Sequence, residues 1–123
     1  MGVFSIKAIV ANPQEPARQQ QVELLVDTGA TLSIVPAAVL LDLGIHRRRL
    51  AKAFETISGE VIYRDIGNVL FQIDQETEIT PVVFGEATDA PVLGALTLEA
   101  LGFGVDPLGK RLIPQRFQAK HTE

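Results

Sequence analysis

The chain has 123 residues, enough for one domain with one hydrophobic core, so two similar lobes cannot fit in a single copy. Hydrophobic residues make up 46% and charged residues 21% of the sequence, which excludes a disordered or fibrous chain. With 11 basic and 15 acidic residues the net charge is −4, so the chain lacks the positive surface that nucleic-acid binding requires.

The first part of the chain predicts two strands and a short helix. Apolar and polar residues alternate over 4–10, which indicates a half-buried strand. A loop is expected over 12–20, where prolines and polar residues dominate, and a second strand over 22–26. Pro36 suits the first turn of a helix and Gly44 the position just past its end. Three apolar residues of this helix should face the core: Val39, Leu40 and Leu43.

The middle of the chain, over 50–84, is expected to be extended. Residues 54–57 and 61–63 flank Ser58-Gly59-Glu60, which is typical of the tip of a β-hairpin. Further strands are expected over 69–73 and 79–84.

The last part predicts a turn-and-helix unit and a closing hairpin. A loop over 85–90 leads into Val92-Leu93-Gly94, and a second helix over 96–101 is closed by Gly102. Pro107-Leu108-Gly109-Lys110 is expected to be a turn between two short strands. The chain as a whole is therefore predicted to be mostly β with two short helices.

A weak internal repeat relates the two predicted helices. Leu40-x-x-Leu43-Gly44-Ile45 matches Leu98-x-x-Leu101-Gly102-Phe103, and each copy follows a strand that ends in a tight glycine turn. Repeats can decide a fold, although any two helices that end in Leu-Gly look alike. The repeat slightly favours an internal duplication about a pseudo-twofold axis.

The strongest functional signal is an acid at the end of an apolar strand, in Leu25-Val26-Asp27-Thr28-Gly29-Ala30. By composition, a given tripeptide such as Asp-Thr-Gly arises by chance in roughly 2–3% of chains of this length. Asp and Gly are also common in ordinary turns. The context strengthens the signal, because an apolar strand precedes the motif and Ser33-Ile34-Val35-Pro36 leads from it into a helix.

A carboxylate in this position can perform acid–base chemistry if a second one lies beside it. At the mouth of an apolar strand a carboxylate is partly desolvated, which favours its protonated form. Two adjacent carboxyls cannot both ionise, so the pair shares one proton and can take a proton from water while donating one to a carbonyl oxygen. That is general acid–base hydrolysis of an amide without a covalent intermediate. Because Asp-Thr-Gly occurs once, the second carboxylate must come from a second chain.

The sequence resembles the single-domain, retropepsin-like aspartic proteases, which are the homodimeric relatives of the two-lobed pepsins. Three motifs carry the resemblance in family order and near the family spacing: Asp27-Thr28-Gly29-Ala30, a flap-like hairpin with Ser58-Gly59 at its tip, and Val92-Leu93-Gly94 before a short helix. The resemblance extends over about 4–114. It implies an all-β, closed β-barrel with one or two short helices, in a single domain over 1–123 with a polar tail over 114–123.

The resemblance also implies roles for individual residues. Asp27 would be one half of the catalytic dyad of a homodimeric aspartic endopeptidase, and Thr28 would lock the two active-site loops together. Gly29 and Ala30 would line the substrate channel. A mobile flap would close over a polypeptide substrate and exclude water. The flap residues would be Ile57, Ser58 and Gly59. The pocket walls, which predict apolar residues beside the scissile bond, would be Leu25, Val61 and Val92. The family implies no cofactor and no metal.

Two positions depart from the viral members of the family, which carry an acid after Asp-Thr-Gly-Ala and an Arg after the later Gly, and pair them. Thr31 and Ala95 stand at these positions. Losing one partner of a buried pair costs several kcal/mol, whereas losing both can be nearly neutral, so the joint change indicates a consistent variant. The polar tail is also a poor match for an apolar interface strand. These departures leave a second hypothesis open, a non-catalytic dimeric peptide-binding module with the same fold.

Other polar residues have simpler interpretations. His46 and His121 lie far apart in the sequence, without a partner at the spacing of a metal site. The run Arg47-Arg48-Arg49 is expected to be solvated, or alternatively to guide an acidic substrate or partner. The absence of cysteine excludes disulfides, thiolate metal sites and a cysteine nucleophile. Three acids are expected to be simple loop or strand-end residues: Asp65, Asp89 and Asp106.

No segment of the sequence suggests a membrane or a secretion signal. No stretch approaches the ~18 apolar residues of a membrane span. Lys7 interrupts the apolar residues near the N-terminus, and no basic leader precedes an apolar run, so no signal peptide is expected. We therefore expect a soluble, cytoplasmic protein with no membrane partner.

Overall fold

Alternating apolar and polar residues produce a mostly β architecture in the computed structural model, which describes residues 3–120. Within this range the strands are, in chain order, β1 (Ser5–Asn12), β2 (Glu15–Val26), β3 (Ser33–Pro36), β4 (Arg49–Glu55), β5 (Val61–Ile73), β6 (Glu76–Gly85), β7 (Val92–Leu93), β8 (Phe103–Asp106) and β9 (Arg111–Pro114). The helices are α1 (Ala37–Asp42) and α2 (Ala95–Leu101). The prediction of a mostly β chain with two short helices is confirmed.

The strand pairings form a ring with one strand outside it. The large sheet has the order β1-β2-β7-β3-β6-β5-β4, and β1 also pairs with β5. This extra pairing joins the first strand of the order to the sixth, so that β4 is left as an edge strand paired with β5. Strands β8 and β9 form a separate two-stranded sheet. The hairpin of β4 and β5, which contains the predicted flap, therefore projects from the ring.

One cluster of buried side chains joins the six strands of the ring to both helices and to β8. In the last five residues of β2 and of β5 every second residue faces this cluster, as the period of a strand requires. Each fully buried aliphatic or aromatic side chain contributes roughly 1.5–3 kcal/mol to the free energy of folding. The largest completely buried hydrophobic side chains are Leu24, Leu40, Phe71 and Leu93.

The internal repeat seen in the sequence corresponds to a repeat in the topology. Strand β2 runs parallel to β7, and β3 runs parallel to β6. The two pairs meet at Ile34 and Val92, which are antiparallel partners. The helices that follow end alike, because Gly44 and Gly102 have φ of 77° and 83°, a left-handed conformation that favours glycine. These pairings support an internal duplication about a pseudo-twofold axis.

Two strand predictions were wrong. The loop expected over 12–20 is only a tight turn, and β2 begins at Glu15, because β1 supplies hydrogen-bond partners to residues that are polar and exposed. The strands expected over 61–63 and 69–73 are one continuous strand, β5. Gly67 allows this strand to pass close to the segment at His46, since a Cβ there would lie 2.7 Å from the His46 carbonyl oxygen.

One core prediction in α1 was also wrong. Val39, expected to face the core, is only partly buried against it.

Candidate active site

The acid of the Asp-Thr-Gly motif lies directly after β2, where the chain leaves the sheet. The backbone N–H of Asp27 donates to the carbonyl oxygen of Leu93 at 3.0 Å, which fixes Asp27 against β7. The Asp27 Oδ1 atom accepts a hydrogen bond from the Gly29 N–H at 2.9 Å. The N–H of Ala30 donates to the Asp27 carbonyl oxygen at 3.2 Å. The carboxylate is thus held in a tight turn by its own loop.

The Asp27 loop lies on the surface of the single chain. Asp27, Thr28 and Gly29 are exposed, and Ala30 is half-buried. We expected the position of Asp27 at the end of an apolar strand to desolvate its carboxylate. In a single chain this is wrong, because the turn projects beyond the sheet and none of the described residues covers it. Exclusion of water from this carboxylate therefore requires another molecule or a movement of the chain's own loops.

Backbone hydrogen bonds join the Asp27 loop to α2. The N–H groups of Ala95 and Leu96 donate to the carbonyl oxygens of Ala30 and Thr31, at 2.8 and 3.0 Å. The two segments approach so closely at Gly94 that a Cβ there would lie 2.6 Å from the carbonyl carbon of Leu32. The contact between the Asp27 loop and α2 is thus built from main chain, with Thr31 and Ala95 at the positions where the resemblance led us to expect an acid and an Arg.

Three buried hydroxyl groups support the contact between the Asp27 loop and α2. The Ser33 Oγ atom accepts a hydrogen bond from the N–H of Gly94 at 2.9 Å and lies 2.7 Å from the Thr97 hydroxyl oxygen. The Thr80 hydroxyl lies 3.1 Å from that of Thr97. Because buried polar groups are costly unless they are paired, this chain of hydroxyls fixes α2 against β3 and β6.

A row of aliphatic side chains crosses five strands beside Asp27. Register partners in neighbouring strands point to the same face of a sheet, and the partners here run from β2 through β7, β3 and β6 to β5. The row consists of Leu25, Val92, Ile34, Val83 and Ile66. Its three most buried members, Val92, Val83 and Ile66, are outside the main core cluster. The row therefore lies on the face of the sheet opposite the main core.

The predicted pocket residues differ in their exposure. Leu25 is half-buried, and Val61 on the predicted flap is 49% exposed. Val92 is only 5% exposed, so it presents little surface in the single chain. Sequence reasoning missed Ile34, Val83 and Ile66. The signal available for them was strand alternation, which is hidden in β6 because consecutive residues are all buried.

The hairpin tip predicted at Ser58-Gly59-Glu60 is present. Thr56 N–H donates to the Glu60 carbonyl oxygen at 2.8 Å, and Gly59 N–H donates to the Thr56 carbonyl oxygen at 2.9 Å. Gly59 has φ of 86°, a left-handed conformation that favours glycine. Ile57 at the tip is fully exposed. An apolar side chain presented in this way is available to contact whatever the flap covers.

An ion pair ties the flap strand β5 to the loop over 86–91. Arg64 Nε and Nη2 donate to the two carboxylate oxygens of Asp89 at 2.7 and 2.9 Å. The side chains are 11% and 13% exposed, and Glu86 lies 3.6 Å from the guanidinium. The hydrogen bond from Arg64 lowers the pKa of the Asp89 carboxyl against the opposing effect of burial, and the Glu86 N–H lowers it further. Asp89 is therefore more than the simple loop residue expected.

The other residues expected to be simple or solvated also have partners. Arg47 pairs with Asp65 at 2.8 Å and lies over the Phe84 ring at 4.8 Å from its centroid. The half-buried Asp106 accepts hydrogen bonds from turn N–H groups, chiefly that of Gly109, which lowers the pKa of its carboxyl. All three residues of the Arg47-Arg48-Arg49 run are exposed, as predicted, and Arg47 also has an acid and an aromatic ring within its reach.

The Arg64–Asp89 pair predicts a dependence of stability on pH. A carboxyl whose pKa is lowered by folding adds stability that is complete above its unfolded value of about 4 and is lost as the pH falls through the folded value. We expect the free energy of unfolding in urea to decrease from pH 6 to pH 3, and Asp89→Asn to flatten part of this decrease. The decrease that remains in Asp89→Asn should come in part from Asp106, whose carboxyl pKa is also lowered by folding. An equal decrease in both proteins would contradict the assignment.

Metal ligands and membrane segments are not found among residues 3–120. No group of three or more His, Asp or Glu side chains in this range could hold a metal ion. His46 is exposed, and His121 lies outside the described residues, as do the last residues of the predicted polar tail. No helix of the described chain is long and apolar enough to cross a membrane.

Known proteins share this motif and this fold. The family described as gag-polyprotein putative aspartyl protease matches residues 17–100. The structure of the EIAV protease complexed with the inhibitor HBY-793 is similar at a TM-score of 0.63 with 16% identity, over 89% of this chain and 91% of that one. A retropepsin-like aspartic protease from Rickettsia conorii is similar at a TM-score of 0.52 with 25% identity, over 85% of this chain and 76% of that one. No curated protein sequence matches.

These similarities confirm the predicted retropepsin-like fold. The family match spans the Asp-Thr-Gly loop, the flap hairpin and the Val92-Leu93-Gly94 turn. Both structural likenesses extend over most of the chain. The chain therefore belongs to the gag-polyprotein putative aspartyl protease family and has the retropepsin fold.

Proposed function

We propose that the chain is a homodimeric aspartic endopeptidase that cleaves polypeptides with a water activated between two Asp27 carboxyls. The observation that carries this proposal is the position of Asp27, exposed in a turn that its own hydrogen bonds hold rigid. A single such carboxyl cannot act as acid and base at once. A second copy, related by a twofold axis, would supply the other.

In the proposed reaction one Asp27 carboxylate takes a proton from the water, whose oxygen attacks the peptide carbonyl carbon. The protonated Asp27 of the other copy donates its proton to the carbonyl oxygen, which gives a tetrahedral diol. Collapse of this diol breaks the C–N bond while a proton passes to the leaving amine. The products are a carboxylic acid and an amine, and no covalent enzyme intermediate forms.

Substrate contacts are assigned to the flap and to the aliphatic row. Ile57, Ser58 and Gly59 would close over an extended peptide and exclude water from the dyad. Leu25, Val61 and Val92, with the neighbouring members of the row, would favour apolar side chains beside the scissile bond. Thr28 would join the two loops, and Gly29 and Ala30 would line the channel. The likeness to a protease solved with an inhibitor supports this arrangement. A cytoplasmic location remains part of the proposal.

Dimerisation offers the sharpest test of this function. We expect the cleavage rate per chain, on unstructured peptides with adjacent apolar residues, to rise with protein concentration. The rate should level off at the concentration at which sedimentation equilibrium shows a dimer. The physical reason is that a monomer holds only half of the dyad.

Two outcomes would contradict the proposal. A chain that remains monomeric at every concentration cannot form the dyad. A dimer that binds the peptides without cleaving them would instead identify the non-catalytic peptide-binding module, for which the exchange of the charged pair for Thr31 and Ala95 is the supporting observation.

A further inference from the structure

The Arg64–Asp89 ion pair connects the flap to the loop over 86–91, which leads into β7 beside the Asp27 loop. Arg64 lies on β5, the second strand of the flap, close to the tip. Asp89 lies in the loop over 86–91, where its own backbone N–H donates to the Glu86 carbonyl oxygen at 2.9 Å. A third hydrogen bond of the guanidinium, from Arg64 Nη1 to the Tyr63 carbonyl oxygen at 2.8 Å, holds it in place. The planar fork of Arg therefore meets the carboxylate in one defined geometry.

Backbone hydrogen bonds connect the loop over 86–91 to the strand that leads into the Asp27 loop. The loop over 86–91 ends at Pro91, whose carbonyl oxygen accepts from the N–H of Leu25 at 3.0 Å. Leu25 is followed closely by Asp27, whose own N–H is bonded to Leu93. A short path of bonds therefore joins the flap strand to the catalytic carboxylate.

Apart from the Arg47–Asp65 ion pair at the base of the hairpin, few contacts in the sheet restrain the flap. Strand β4 is an edge strand, and within the described sheet it pairs only with β5. The register of that pairing is interrupted between Arg49 and Lys52. A projecting hairpin of this kind opens easily unless side chains hold it, because loops with few buried contacts have a low free energy of opening.

On the basis of the proposed function, we propose that Arg64 and Asp89 are positioning residues that set the height of the flap over Asp27. The pair touches neither the reacting atoms nor the scissile bond, so it acts through the flap. Its loss leaves the dyad intact and weakens closure over the substrate. The proposal therefore predicts a change in KM and in flap opening, with a smaller change in kcat.

Two variants and a matched control test this role. Asp89→Asn keeps the shape of the side chain and removes its charge, and Arg64→Gln removes the fork. Arg111→Gln is the control, since Arg111 forms an exposed ion pair with Asp106 at 3.3 Å in the β8–β9 hairpin. Flap opening is measured by hydrogen exchange of the backbone amides over 52–62, and KM and kcat are measured on one peptide substrate.

We expect each of the two variants to raise flap exchange and KM by about tenfold, with kcat changed by less than about threefold. The double variant should be no worse than either single one, because both remove the same interaction. Compared with Arg64→Gln, Arg64→Lys keeps the positive charge and should have most of the thermal stability of the wild type. Its KM should stay raised, because an ammonium cannot form the two parallel hydrogen bonds of a guanidinium. The control should resemble the wild type in every respect.

Three results would overturn the proposal: flap exchange equal to that of Arg111→Gln, a loss confined to kcat, or failure of even the mild Asp89→Asn variant to fold. The last would assign the pair a purely structural role. The exchange measurement needs no catalysis. If the wild type cleaves nothing, the proposed function fails, while the effect of the pair on the flap is still decided.

Discussion

Asp27→Asn should leave a folded dimer whose rate of peptide cleavage is lower by about a thousandfold or more. An amide cannot carry the proton that the dyad must accept from water and return. The loop should keep its shape, because the Asn Oδ1 atom can still accept the hydrogen bond that Gly29 donates at 2.9 Å. Peptide cleavage, thermal melting and sedimentation would be measured side by side.

Mixing the variant with the wild type extends this test to the dimer itself. In an equal mixture that exchanges subunits, only about a quarter of the dimers hold two Asp27 carboxyls, so the rate should fall to about that fraction of the pure wild-type rate at the same total concentration. Asp42→Asn provides the control, because Asp42 is an exposed residue of α1. Cleavage by Asp27→Asn at the wild-type rate would mean that Asp27 is not the proton carrier.

Local patterns were sufficient to predict most strands and the candidate acid. The alternation in β1 and the apolar residues before Asp27 reflect burial on one face of a strand, which depends on each segment alone. The glycines after the two helices were also recognisable, since Gly44 and Gly102 need a left-handed backbone. Sequence reasoning works at such positions because the physical cause is local.

Features that depend on distant partners could not be predicted in this way. The first half of β2 is polar and exposed, and only pairing with β1 makes it a strand. Arg64 and Asp89 are 25 positions apart, so their contact exists only once β5 and the loop over 86–91 are packed together. The solvation of Asp27 likewise depends on what covers the turn, which is a matter of assembly.

Gly94→Ala should be the most damaging single methyl group that can be added near the site. The new Cβ would lie 2.6 and 2.7 Å from the carbonyl carbon and oxygen of Leu32, and 2.9 Å from the carbonyl oxygen of Ala30. These are backbone atoms, and Ala30 is also bonded to Ala95, so relief requires the whole loop to move. We expect the free energy of unfolding in urea to fall by about 3 kcal/mol.

Gly104→Ala is the matched control for this methyl group. Its Cβ would meet the end of the flexible Gln115 side chain at 3.2 Å, so the expected change in unfolding free energy is within about 0.5 kcal/mol. A Gly94→Ala protein as stable as this control would show that the joint between the Asp27 loop and α2 is looser than its distances imply.

The loss of activity in Gly94→Ala should exceed what its loss of stability explains. A protein that is still folded at working temperature keeps Asp27 and, under the proposed function, its dimer, but the clash moves Ala30 and Leu32, which follow Asp27 closely in the chain. A displacement of about 1 Å in a catalytic group can cost a hundredfold in rate. We therefore expect the cleavage rate measured below the melting transition to fall by about a hundredfold. If the folded fraction instead cleaved at the wild-type rate, the contact at Gly94 would matter for stability and not for catalysis.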